Sequence, residues 1–130
     1  FDPCLEIVIA FNNSLIGYEL TTIAYKLDCS KQLLNYESAN PSAPMARFNS
    51  AINRIEGNCL RNIYGAIWFS FGDLFSHANV TPAELQAYIY GTSPPPYPLT
   101  CIENLTDVSD VYEAAKSEIN QLSSEIKKRH

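Results

Sequence analysis

Four cysteines, two histidines and fourteen carboxylates are the side chains in this sequence best equipped for chemistry. The cysteines stand at Cys4, Cys29, Cys59 and Cys101. None is in a C-x-x-C pair, and neither His77 nor His130 lies at metal-ligand spacing from any of them. That argues against zinc, and an even number of widely spaced cysteines reads instead as two disulfides. Bridged cysteines cannot be nucleophiles. A serine or threonine nucleophile needs a base in reach, but there is no G-x-S-x-G and only two histidines could serve. His130 is the last residue and is expected to be mobile, while His77, after Asp73-Leu74-Phe75-Ser76, reads as a surface histidine near a helix end. Asp107 and Asp110 fall in a first helical turn, where acids favour the helix dipole. No phosphate loop, H-E-x-x-H or calcium-loop pattern occurs. The expectation is a protein that is not an enzyme and uses no metal or cofactor.

Three glycosylation sequons, at Asn12, Asn79 and Asn104, agree with the cysteines in pointing to export. A chain that opens on Phe1-Asp2-Pro3-Cys4 without a starting Met reads as one whose signal has been removed. Net charge is −5 and the nine basic residues are scattered, so nucleic acid is a poor partner. The only basic run, Lys127-Lys128-Arg129-His130, is expected to be a frayed, solvated helix end. No stretch is expected to span a membrane, because the most apolar window, 63–72, is short and glycine-broken.

The elements that must position these residues are helical. Apolar residues are 46% of the 130 and charged ones 18%, which suits one globular domain over 1–130. Asp2 as cap and Pro3 at the first position open a helix expected to run to Tyr36, with Leu5, Ile9, Ile16, Leu20, Ile23, Leu27 and Leu34 as its core stripe. Residues 38–44 form a turn. A second helix from Pro44 carries Met45, Phe48, Ile52, Ile55, Cys59, Ile63 and Ala66 inward, and its glycines predict a kink, or close packing, towards Phe75 before a break at Asn79. Thr81-Pro82-Ala83-Glu84 is a capping box for a short helix that stops at Gly91. The segment 92–98 is then a polyproline-like strap. Thr100-Cys101-Ile102-Glu103 reads as a second capping box, and the last helix carries Leu105, Val108, Tyr112, Ala115, Ile119, Leu122 and Ile126. The fold class is therefore all-α: a disulfide-stapled bundle of three long helices and one short helix with a proline-rich strap.

Helix length selects the disulfides. Cys4 and Cys29 on one helix lie about 37 Å apart, whereas a bridge needs Cα atoms within about 7 Å. In an antiparallel hairpin of the first two helices Cys29 is the nearer partner of Cys59, which leaves Cys4 with Cys101.

Surface that could bind is mostly aromatic. Ile7, Phe11, Tyr18, Tyr25 and Tyr36 form a second ridge on the first helix, at about 200–240° from Leu5 on a helical wheel. Such a ridge is core, an exposed binding ridge, or the lining of a cavity, and burial in the core is the preferred reading. The run from Ile63 to Phe75 is apolar nearly all round and includes Trp68, Phe69, Phe71 and Phe75. Either the short helix and the strap cover it, with Tyr88, Tyr90 and Tyr97 as the lid, which is the preferred reading, or part of it is exposed as an interaction patch. Asn12 falls on the stripe taken as core, where a glycan would clash with burial, which favours Asn79 and Asn104 as acceptors.

Long helical hairpin, capped short helix, proline strap, final amphipathic helix and four widely spaced cysteines together resemble the small salivary proteins of blood-feeding insects. Among these, the anopheline salivary inhibitors of the alternative complement pathway are the most similar. The resemblance spans the whole chain and rests on architecture and cysteine count, so no functional residue is carried over. It implies a secreted, non-enzymatic inhibitor that binds a host plasma protease complex through its protein surface. The alternative is a carrier of a small hydrophobic ligand, although the odorant-carrier-like insect proteins of similar outline usually have six cysteines.

Overall fold

Prolines, glycines and one left-handed asparagine divide the chain into helices. The computed structural model describes residues 3–91, 94 and 97–130, with no strand among them. Its elements are α1 (Pro3–Ala39), α2 (Met45–Ser70), α3 (Gly72–Ala78), α4 (Pro82–Ile89), a 3-10 turn at Leu99–Cys101, and α5 (Asp107–Arg129). The kink expected in the second helix is a full break at Phe71, whose φ of −99° and ψ of 16° separate α2 from α3. There are thus two short helices rather than one. Asn79, at φ 52°, ends α3 in the left-handed region that asparagine tolerates. Thr81 Oγ1 accepts from the Glu84 N–H at 3.2 Å and Glu84 Oε1 accepts from the Thr81 N–H at 3.3 Å, which completes the capping box of α4. Gly91, at φ 71°, follows.

The second capping box does not form. Leu99, Ile102 and Leu105, spaced by three, are all buried, and Cys101 is bonded to Cys4 of α1. Pinned in this way, the backbone turns once as a 3-10 helix, and α5 starts only at Asp107, with no side-chain cap from Thr106. Of the strap, Thr92, Ser93, Pro95 and Pro96 lie outside the described residues, so the polyproline expectation is met neither way.

Two disulfides staple the bundle: Cys4–Cys101, with Cα atoms 5.4 Å apart, and Cys29–Cys59, 5.7 Å apart. One buried cluster joins Ile7, Phe11 and Tyr18 of α1 to Phe71, Leu74, Leu85 and the 99–108 segment. The other joins Cys29 and Leu33 to Phe48, Ile52, Ile63, Ile119 and Ile126. The inward stripes of α2 and α5 follow the expected periodicity at Phe48, Ile52, Cys59, Ile63, Ala66, Val108, Ala115, Ile119 and Ile126. Ile55, Tyr112 and Leu122 are instead half-buried, Met45 is exposed, and Ala51, Ile67 and Ser123 are buried as well.

The stripe taken as the core of α1 is the opposite of what the fold buries. Leu5, Ile9, Ile16, Leu20, Ile23, Leu27 and Leu34 are between 41% and 64% exposed, while Ile7, Phe11, Tyr18 and Leu33 are at most 4% exposed. The cause is covalent as well as steric. On the same wheel Cys4 and Cys29 fall at about 260° and 240° from Leu5, the sector of the aromatic ridge, so both disulfides draw that face inward. Asn12 is consequently exposed, and the objection that a glycan there would clash with burial falls away. Contrary to expectation, α1 is also long and apolar enough to cross a membrane by length and composition, because an 18-residue stretch within it reaches a mean hydropathy of 1.2 with at most 2 charged residues. A third of its most apolar window is buried, and its partners are α2, α3 and α5.

The C-terminal end is tied down rather than frayed. The Arg129 guanidinium donates to both Glu37 carboxylate oxygens at 2.9 and 3.1 Å. Lys127 donates to Asn53 Oδ1. His130 stacks on Phe48, with ring centroids 3.6 Å apart and Nε2 2.8 Å from the Ala43 carbonyl oxygen. His130 thus packs over the α1–α2 turn instead of standing free in solvent.

Candidate functional site

The sequence singled out aromatic residues, and the structure sorts them into two groups. Phe11, Tyr18 and Phe71 belong to the core: Phe71 packs on Phe11 at 5.9 Å and edge-on to Tyr18 at 6.1 Å between ring centroids. Tyr25, on the same ridge of α1, is 39% exposed. Trp68 and Tyr88 are half-buried and Tyr90 is exposed. Tyr97 is 78% exposed and so does not act as a lid. Phe69, in the apolar run from Ile63 to Phe75, is the most open of the described large apolar residues at 88%.

Tyr64 is the residue that organises the outer group, and sequence reasoning missed it. Its ring lies 5.7 Å from Trp68, 6.4 Å from Tyr90 and 5.5 Å from Tyr112. Trp68 continues the row to Phe75 at 6.4 Å. Tyr64 and Trp68 are four apart on α2 and so share a face, a signal visible in the sequence but masked by the apolar run around it. Partial burial raises the pKa of Tyr64 and of Tyr90, and their neighbouring phenols add to the effect. The result is a patch in which rings are held by one another while their edges meet solvent. Tyrosine and tryptophan in that state offer apolar area and a polar tip at little entropic cost on binding.

Beneath the patch runs a polar row that the core does not satisfy. The hydroxyls of Ser14, Tyr18 and Thr22, spaced by four along α1, are buried with no hydrogen-bond partner among the described residues. Burial pushes the Tyr18 phenol well above its ordinary pKa, and the nearby Thr22 hydroxyl offsets this only in part. With the folded pKa raised above the unfolded one, the titration of Tyr18 does not affect stability well below pH 10 and weakens the fold as pH rises above it. Tyr18→Phe is expected to be as stable as the parent, or about 1 kcal/mol more stable, at pH 7. It should also lose less stability between neutral pH and alkaline conditions. Urea unfolding at both pH values checks this, and an equal alkaline loss in the two proteins would refute it.

Other candidates are separate from the patch. His77 is exposed, with Nδ1 2.8 Å from the Asp73 carbonyl oxygen, and no cluster of metal-ligating side chains occurs among the described residues. A cleft of about 320 Å³ opens to solvent between α1 and the segment before α5 and brings Asn12 and Asn104 to one place, beside Glu103 and Asp107. Asn79 is exposed elsewhere, at the end of α3. Most of the other exposed large apolar side chains among the described residues lie on the outer face of α1.

No family model matches this chain, and no curated protein or solved structure matches it either.

Proposed function

We propose that this chain is a secreted, non-enzymatic binding protein that acts by contact with another protein, through the patch built on Tyr64, Trp68 and Tyr90. Its target on this reading is a host plasma protease complex, that of the alternative complement pathway, as for the salivary inhibitors it resembles. The observation that carries the reading is the half-exposed aromatic cluster on a scaffold locked by two disulfides. Formed disulfides suit an oxidising, extracellular compartment, and the three sequon asparagines are all exposed, as glycan acceptors must be. A carrier of a small hydrophobic ligand has less support, since the ridge that would line its cavity, Phe11 and Tyr18, is packed against Phe71.

Surface-binding measurements with immobilised protein against purified complement and clotting components test the proposal. Binding to a component of the alternative-pathway convertase is expected, and Tyr90→Ala, at an exposed position, is expected to weaken it about tenfold or more. Absence of binding across the panel would sink the proposal, and undiminished binding by Tyr90→Ala would remove the patch from it.

A further inference from the structure

The outer face of α1 is built like one half of a coiled coil. Ile9, Ile16, Leu20, Ile23, Leu27 and Leu34, with Asn13 and Ser30 in the two remaining places, recur in alternating steps of three and four. That is the heptad spacing of a helix–helix seam, and no helix among the described residues covers it: each of the six aliphatic side chains is at least 41% exposed. A surface helix does not keep isoleucine and leucine at such spacing for contact with water. Together with Leu5 these side chains leave on the order of 700 Å² of apolar surface open, close to the roughly 800 Å² per partner that stable interfaces bury.

We propose that this face is the contact between two copies of the chain, joined through an antiparallel α1–α1 seam. The seam is self-complementary in that direction. With the two-fold axis between Leu20 and Ile23, Leu20 faces Ile23 of the second copy and Ile16 faces its Leu27. Ile9 then faces Leu34, and the two polar residues, Asn13 and Ser30, face each other. A slip of one heptad sets Asn13 against Ile23, or Ser30 against Leu20, and buries a polar group on an apolar one, so the register is defined.

The flanks agree. On one side Glu19 meets Lys26 of the second copy, twice over by symmetry. Lys26 is already held at the seam's edge by its ion pair with Glu118 of α5. On the other side Gly17 meets Ala24, small residues that let the backbones approach. A parallel pairing instead places Lys26 beside Lys31 of the second copy with no acid opposite, which disfavours it. Dimerisation leaves the patch around Tyr64 outside the contact and makes the protein bivalent, so that a target with two sites gains from avidity.

Sedimentation equilibrium of the disulfide-bonded chain across micromolar concentrations tests this. The protein is made without N-glycans, since Asn12 flanks the seam. A mass of twice 14.5 kDa is expected, with Leu20→Glu raising the dimer dissociation constant about a hundredfold or more. Leu20 is exposed, so the variant should keep the parent's circular dichroism and melt with the parent at dilutions where the parent is monomeric, falling below it only where the parent pairs. That separates loss of pairing from loss of fold. Direction is read by mixing two single variants, N13C and S30C: an intermolecular disulfide between them, with none in either alone, is the antiparallel result. A chain that is monomeric throughout overturns the proposal. So does a monomer that floats with phosphatidylcholine–phosphatidylserine vesicles unless Leu20 is made Glu, because the face would then serve a lipid surface. Self-linking of N13C alone overturns the antiparallel arrangement.

Discussion

Replacing Cys4 and Cys101 together by serine is expected to lower unfolding free energy by about 4 to 5 kcal/mol, the largest effect foreseen for any pair in this chain. The bridge joins residues 97 apart in sequence, and a closed loop of that length removes about 4.7 kcal/mol of chain entropy from the unfolded state. The second bridge spans only 30, for which the same relation yields about 3.6 kcal/mol. The first also has a local task, because Cys101 fixes the short turn that carries Leu99 and Ile102 into the core and so sets where α5 begins. Urea titration of the double variant against the parent measures the loss, and a value under about 1 kcal/mol would show that the buried segment holds itself. The bridges should also differ towards reductant. Cys29 and Cys59 are 1% and 6% exposed, whereas Cys4 is exposed and Cys101 half-buried. Mild thiol treatment, followed by alkylation and mass spectrometry, is expected to open Cys4–Cys101 first.

Phe71→Ala is expected to cost about 3 to 5 kcal/mol. The ring is wholly buried and touches both Phe11 and Tyr18, at the point where α2 gives way to α3. Its removal leaves a cavity where three helical segments meet, and the glycine that follows offers no side chain to fill it. Phe69→Ala, two residues earlier and 88% exposed, serves as the control and should stay within about 0.5 kcal/mol of the parent. Chemical denaturation of both variants makes the comparison. Equal losses would mean that the break at Phe71 is held by backbone preference and not by the ring.

Much of the fold was legible because it depends on local rules. Thr81 and Glu84 form the capping box their spacing announces, and the steps of three and four along α5 bury Val108, Ala115, Ile119 and Ile126. Helix length alone excluded a bond between Cys4 and Cys29, and the two bonds that form are Cys4–Cys101 and Cys29–Cys59. The failures are equally physical. The capping box at Thr100 was a sound local motif, overruled by a covalent bond at Cys101 and by burial of the residues around it. His130 and Arg129 looked like a loose end because nothing near them in sequence shows that Glu37, Ala43 and Phe48 lie alongside. In the outer aromatic patch, Trp68, Tyr88 and Tyr90 were singled out from composition. Tyr64, which links two of them, needed the spatial meeting of α2, α4 and α5.

The helices, the Thr81–Glu84 cap and the exclusion of a Cys4–Cys29 bond follow from the sequence by itself, since each rests on interactions a few residues long or on the reach of a rigid helix. Which way α1 faces does not. It has two apolar faces on opposite sides, so periodicity marks both and ranks neither, and counting favours the aliphatic one. Only the packed structure decides, by drawing Cys4, Phe11, Tyr18 and Cys29 inward together and leaving seven aliphatic side chains outside. The two disulfides thus draw one face of the longest helix inward and leave the other open to another molecule.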